Sequence, residues 1–279
     1  MNNILKSKDL VIKLEIEIKK EVSKLKNIPS IVFILVGNDP ASHIYVSNKI
    51  KACERVNIPS IVFEYPENVT ENDLIKRIEF YNNWEEVGGI IIQNPLPKHI
   101  NTNIIANTID PKKDVDGFSN YHLGKLFNSP IIYPATPSGI IKWIDYLNYD
   151  LEGKKVVIVG RSNTVGKPLA LMLLDKNATV TICHSKTKNL YDYTYNADLV
   201  IVAVGKPEFL DYTYFSNNTV IIDVGISRTG DNKIKGDVNN DVLVRRDNII
   251  LTAVPGGVGP LTVISLLSNL LKLIKCEVF

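Results

Sequence analysis

Ser42, Tyr45 and Lys49 fall at i, i+3 and i+7 of a stretch that follows Gly37-Asn38-Asp39-Pro40 and reads as a helix. A hydroxyl, a phenol and an amine are therefore expected on one helix face. A lysine in a partly apolar pocket loses some of its preference for the charged form, and a neighbouring phenol can share or orient its proton. Read alone, the trio also fits a surface lysine beside a packing tyrosine. Residues 88–97, Gly-Gly-Ile-Ile-Ile-Gln-Asn-Pro-Leu-Pro, read as a buried strand ending in Gln93 and a rigid proline turn. That is the carboxyl end, where parallel sheets place ligand contacts. Gln93 there can bond the lysine or a substrate, or simply cap the strand. Asp114-Val115-Asp116-Gly117 adds a loop carboxylate. Asp116 suits a heterocycle presenting an N–H beside an amino group, or an Asx-type turn before Gly117.

A second chemistry is written at Gly160-Arg161-Ser162-Asn163-Thr164-Val165-Gly166-Lys167-Pro168, which follows a strong strand and opens a helix. Glycine allows a tight turn and close approach to a pyrophosphate, the helix start offers N–H groups, and Pro168 suits a first turn. The spacing departs from Gly-x-Gly-x-x-Gly because Ser162 stands at the second glycine's place, so an ordinary strand-to-helix turn is the alternative. The end of the next strand discriminates between coenzymes. An NAD site of this type carries an acidic residue there for the ribose hydroxyl. This chain has His184-Ser185-Lys186-Thr187. With no carboxylate to repel a 2′-phosphate, and with Ser185 and Arg161 as donors, NADP is favoured over NAD.

These groups need a scaffold of parallel strands and crossover helices. Residues 30–36, 61–65, 89–93, 156–159, 179–183, 199–204 and 220–224 are apolar without alternation, as strands buried on both faces are. Residues 4–25, 41–55, 71–84 and 168–174 carry apolar side chains at helical spacing. The order is βαβα, which predicts an α/β fold of two domains. An N-terminal α/β domain is expected over 1–137 and a Rossmann-type dinucleotide-binding domain over 138–259. The amphipathic helix within 260–279 is expected to pack back on the first. At 279 residues, 45% hydrophobic and 22% charged, the chain has ample apolar material for a core. A net charge of +2 argues against nucleic acid or a polybasic membrane anchor as partner. The three cysteines and four histidines show neither a disulfide framework nor metal-ligand spacing. No signal-like or unbroken membrane-length apolar run stands out, so the cytoplasm is the expected location, with no metal.

Taken together, residues 36–42 with Tyr45 and Lys49, 93–97, 113–118, 136–139, Gly160-Arg161-Ser162 with Val165-Gly166, and Pro255-Gly256-Gly257-Val258-Gly259-Pro260 occur in one order. In that order they closely resemble the bifunctional methylenetetrahydrofolate dehydrogenase/methenyltetrahydrofolate cyclohydrolase family over nearly the whole chain. The resemblance implies a cleft between two α/β domains, with tetrahydrofolate one-carbon substrates on the first and NADP on the second. It implies Lys49 as the central catalytic residue, Tyr45 its neighbour, Gln93 its tuning partner and Asp116 the anchor of the pterin ring. Ile92, Asn94 and the loop of Pro255, Gly256, Gly257, Val258 and Gly259 would join the substrate contacts. Gly160, Arg161, Ser162, Ser185 and Ile226 would meet NADP. The family is typically homodimeric. Asn94 and Ala135 depart from its usual Leu and Cys. Two rivals stay open: a dehydrogenase of another small substrate, such as a quinate or amino-acid oxidoreductase, and a catalytically silent folate- or nucleotide-binding protein.

Overall fold

The computed structural model describes residues 3–228, 230 and 233–276. In chain order the elements are β1 (Asn3–Leu5), α1 (Lys8–Val22), β2 (Ser30–Val36), α2 (Pro40–Arg55), β3 (Ser60–Tyr65), α3 (Glu71–Asn83) and β4 (Val87–Ile92). Then come α4 (Thr102–Thr108), α5 (Asn120–Lys125), α6 (Ala135–Tyr146), β5 (Lys155–Val159), α7 (Gly166–Leu174), β6 (Thr179–Cys183), α8 (Leu190–Thr194) and β7 (Leu199–Val202). The chain closes with β8 (Val220–Asp223), β9 (Ser227–Arg228), β10 (Ile234–Lys235), α9 (Val242–Arg245), β11 (Ile250–Thr252) and α10 (Val258–Lys275). It divides into two compact units, one of Ile12–Ala135 with Val263–Phe279 and the other of Met1–Val11 with Thr136–Thr262.

The unit of Ile12–Ala135 is built on a parallel three-stranded sheet in the order β3-β2-β4. Its strands are buried because their side chains are apolar on both faces. Val32, Ile34, Val36, Ile90 and Ile92 pack with Leu74, Ile78 and Tyr81 of α3 in one core. Local chemistry sets the helix starts. Asp39 accepts the Ser42 backbone N–H ahead of α2 with Pro40 in the first turn, and Thr70 accepts the Asp73 N–H ahead of α3. The Val263–Phe279 part of the chain belongs to this unit. Among the described residues α10 is the one helix long and apolar enough to cross a membrane by length and composition. Leu266, Leu267 and Leu270 on it are buried in protein, so it is a core helix here.

The unit of Thr136–Thr262 holds a six-stranded parallel sheet, β1-β11-β8-β7-β5-β6, with β9 and β10 as a small antiparallel pair beside it. Strand order reverses at β5, which is followed by β6 on one side and β7 on the other, giving the topological switch of a dinucleotide-binding sheet. Val157, Val159, Val200, Val202 and Ile221 form its core. Ile4, expected in the first helix, lies instead in β1. Three residues make a strand there because β11 supplies backbone partners from the far end of the chain, pairing Asn3 with Ile250 and Leu5 with Thr252. The first eleven residues thereby group with the second half of the chain rather than with 12–135.

Candidate active site

In the unit of Ile12–Ala135 the sheet brings a lysine and an amide together. Lys49, in the middle of α2, is partly buried, and its Nζ donates to Gln93 Oε1 at 3.0 Å. Gln93 follows directly on β4, is 8% exposed, and is fixed at both ends. Its backbone N–H donates to the Ile34 carbonyl at 2.9 Å and its Nε2 to the Asn94 carbonyl at 2.7 Å. An amide acceptor orients the lysine without adding charge. Burial lowers the Lys49 pKa from the ordinary lysine range, opposed by the charge of Asp116. Asp116 is pushed up to about 6, mainly by burial and partly by Asp114, while the Lys49 charge draws it down. The three residues therefore form one electrostatic group. Tyr45, one turn earlier on α2, is 39% exposed.

Ser42 does not join them. Its hydroxyl is buried and donates to Asp39 Oδ2 at 2.7 Å, adding to the cap that Asp39 makes at the start of α2. Cys53, four residues after Lys49, has no exposed surface, and burial pushes its thiol up to about 12, leaving it an inert packing group.

Two residues that place Asp116 escaped the sequence reading. Buried Asp114 accepts backbone N–H groups from Gly117 at 2.9 Å and Ser119 at 2.8 Å, closing the loop around Asp116. Asn269 of α10, also buried, donates from Nδ2 to the carbonyls of Val115 at 2.9 Å and Tyr133 at 2.8 Å. An asparagine inside an otherwise apolar helix face was the available signal. Of the two departures, Asn94 is exposed and Ala135 buried, and the Ala135 backbone N–H donates to the Asp116 carbonyl at 3.2 Å whatever its side chain.

The unit of Thr136–Thr262 carries the glycine turn. Gly160 has φ +132°, and a Cβ there would lie 2.4 Å from the Ala203 carbonyl oxygen, so only glycine fits between β5 and the chain after β7. Arg161 and Ser162 are exposed. The Ser162 hydroxyl accepts the Val165 N–H at 3.1 Å and organises the entry to α7. Parallel pairing sets Val159 opposite Cys183, and the Gly160 N–H donates to the Cys183 carbonyl at 2.9 Å. The turns 160–162 and 184–187 thus leave adjacent strands at the same level. His184 shapes its turn through Nδ1, which accepts the Lys186 N–H at 3.2 Å, while Ser185 stands exposed. A glycine cradle, a helix start, exposed Arg161 and Ser185, and no carboxylate closing β6 fit a 2′-phosphorylated dinucleotide. Ile226, 39% exposed, follows β8 in this unit. The 255–259 loop also belongs here and is tied to Ser7, whose N–H and hydroxyl both donate to the Gly256 carbonyl, at 2.8 and 3.0 Å. Among the described residues no group of three or more His, Cys, Asp or Glu could hold a metal.

Comparison with known proteins bears on both halves. A family model described as tetrahydrofolate dehydrogenase/cyclohydrolase, catalytic domain, matches residues 5–116, and its NAD(P)-binding domain counterpart matches residues 134–278. The curated "Bifunctional protein FolD" of Agathobacter rectalis is 48% identical over 279 residues, covering 99% of this chain and 100% of its own. The crystal structure of the bifunctional FolD methylenetetrahydrofolate dehydrogenase/cyclohydrolase from Campylobacter jejuni matches at 42% identity and TM-score 0.93, covering 99% of each chain. The Trypanosoma brucei dehydrogenase-cyclohydrolase, complexed with NADP cofactor and inhibitor, matches at 31% identity and TM-score 0.92 over 98% of this chain and 97% of its own.

Proposed function

This chain belongs to the tetrahydrofolate dehydrogenase/cyclohydrolase family, and from that membership we propose how its own residues divide the work. The enzyme oxidises 5,10-methylenetetrahydrofolate to the 5,10-methenyl cation with NADP+ and hydrolyses that cation to 10-formyltetrahydrofolate. The Lys49–Gln93 hydrogen bond, with Asp116 acting on the same ammonium, is the observation that carries the residue assignment.

In the oxidation, substrate nitrogen lone pairs stabilise the methenyl cation, so the chain's task is alignment more than base catalysis. NADP+ when bound supplies the hydride acceptor. Asp116 anchors the pterin through its N–H and amino group, and Ile92 and Asn94 contribute further substrate contacts. Arg161 and Ser185 hold the 2′-phosphate, Gly160 and Ser162 the pyrophosphate turn, and Ile226 packs on the coenzyme. In the hydrolysis, water adds to the methenyl carbon and sheds a proton as the ring opens. Lys49 moves that proton. Burial lowers its pKa and so eases loss of its proton, Gln93 Oε1 accepts one of its N–H groups, and Tyr45 lies one turn before it on α2.

The proposal extends to a cytoplasmic homodimer. Its three cysteines are free, two of them buried, which suits a reducing compartment. Sedimentation at the mass of a single chain would remove the dimer. A spectrophotometric assay with methylenetetrahydrofolate and either NADP+ or NAD+ tests the whole reading. Preferential NADP+ reduction followed by decay of the methenyl absorbance is expected. Reduction of NADP+ only with an unrelated substrate would refute it.

A further inference from the structure

The chain leaving β7 hangs on one carboxylate. Asp237 is fully buried and accepts three consecutive backbone N–H groups. Val204 at 2.6 Å and Gly205 at 3.0 Å donate to its Oδ2, and Lys206 at 2.7 Å donates to its Oδ1. Successive N–H groups converging in this way form a concave nest for an anion. Here the anion is the protein's own.

Asp237 is held in turn by Asp223, which ends β8. Asp223 Oδ1 accepts the Asp237 N–H at 2.9 Å and the Gly225 N–H at 3.1 Å, and Oδ2 accepts the Val238 N–H at 2.9 Å. The Asp223 N–H donates to Thr252 Oγ1 at 2.8 Å. The packing is tight enough that a Cβ on Gly225 would lie 2.0 Å from the Asp237 carboxyl carbon, so that position admits only glycine. Two buried carboxylates are expensive unless hydrogen-bonded, and a satisfied network of this kind is rigid.

The location gives the network its meaning. β7 borders β5 at the reversal of strand order, and ligands of open α/β sheets bind beyond the carboxyl ends of strands at that point. The 160–165 turn leaves β5 on one side, and residues 203–206 leave β7 on the other. We propose that Asp237 is a positioning residue for the coenzyme: it fixes residues 204–206 and, through Asp223, the turn carrying Ile226. Because its N–H groups are already occupied, the 204–206 segment does not compete with the 160–166 turn for a phosphate. The inference rests on the assignment of NADP to this unit.

Asp237→Asn tests it. The amide keeps the shape but presents an NH2 group where a carboxylate oxygen stood, so at least one backbone N–H loses its acceptor. The Kd for NADP+ by calorimetry should rise on the order of ten-fold, with KM for NADP+ following. Hydrolysis of methenyltetrahydrofolate without added coenzyme should keep the parent kcat. A purely structural role would instead lower both activities by one factor and leave the Kd of the folded protein unchanged, which overturns the proposal. Should Asp237→Asn not fold, Asp223→Asn carries the test, with a rise in Kd of roughly two- to three-fold expected and an unchanged Kd refuting. Failure of both variants to fold would assign the pair to stability alone and also overturn it. Parent protein that does not bind NADP+ would strike the coenzyme assignment instead.

Discussion

Replacing Lys49 with methionine separates the two reactions. Methionine keeps most of the side chain's length and removes the amine, so the group that moves the proton in hydrolysis is lost while the apolar surroundings stay filled. Positioned acid–base groups contribute about 10²- to 10⁴-fold, so cyclohydrolase kcat should fall by that factor, about 2.7–5.4 kcal/mol of barrier at about 1.36 kcal/mol per decade. Stability should change little, because two effects oppose. Gln93 Oε1, now 3.0 Å from Lys49 Nζ and on a residue only 8% exposed, loses its donor, at a cost of about 1–3 kcal/mol. Against this, an ammonium that burial disfavours is gone. Asp116 loses the charge that draws its pKa down and should titrate above its present value of about 6. The assay follows loss of methenyl absorbance at saturating substrate, with NADP+ affinity measured separately by calorimetry and expected to match the parent. Parent-rate hydrolysis by folded Lys49→Met protein would refute the assignment of proton transfer to this residue.

Three other outcomes follow from the geometry. Ser185→Asp places a carboxylate at the exposed tip of the 184–187 turn, where it should repel the 2′-phosphate and weaken NADP+ by about ten-fold while leaving NAD+ little changed; equal titrations for both coenzymes would displace the 2′-phosphate from this turn. Asp116 accepts the pterin only when ionised, so KM for methenyltetrahydrofolate should climb as pH falls below about 6 and the climb should vanish in Asp116→Asn. On stability the sign is opposite: the neutral carboxyl is the better-buried form, and the stability it contributes below its ordinary value of 3.8 is lost as pH rises through about 6, a trend that thermal melts across this range would check. Asn269→Leu leaves the Val115 and Tyr133 carbonyls without their donor, at about 1–3 kcal/mol each, and should lower Tm by several degrees, at roughly 2–4 °C per kcal/mol; it should also raise KM for the folate substrate by releasing the loop that holds Asp116.

The features legible in the sequence are those whose cause lies within a few residues. β2 and β5 declared themselves because an unbroken apolar run has one stable use, burial on both faces of a parallel sheet. The α2 spacing put Tyr45 and Lys49 within one helix, and Gly160 marked the turn between a strand and a helix. Within the same helix the spacing did not reveal what the Ser42 hydroxyl bonds. Periodicity assigns a face, but the hydroxyl had a nearer acceptor in Asp39, and a local hydrogen bond outcompetes a shared surface.

Tertiary structure alone decided how those pieces are held. β1 is a strand only because β11 pairs with it. The Asp116 loop depends on Asn269, 154 residues from the Val115 carbonyl it bonds, and the nest on Asp237 joins residues about thirty positions apart. An isolated asparagine or aspartate carries no periodicity from which its partner could be read. Its energetic worth arises when folding removes water and leaves the distant backbone groups with no other acceptor or donor. Residue types and spacing thus determined which chemistry this chain could perform and on what kind of sheet. Burial across the folded chain decided that Lys49 would give up part of its hold on its proton and that Asp116 would feel its charge.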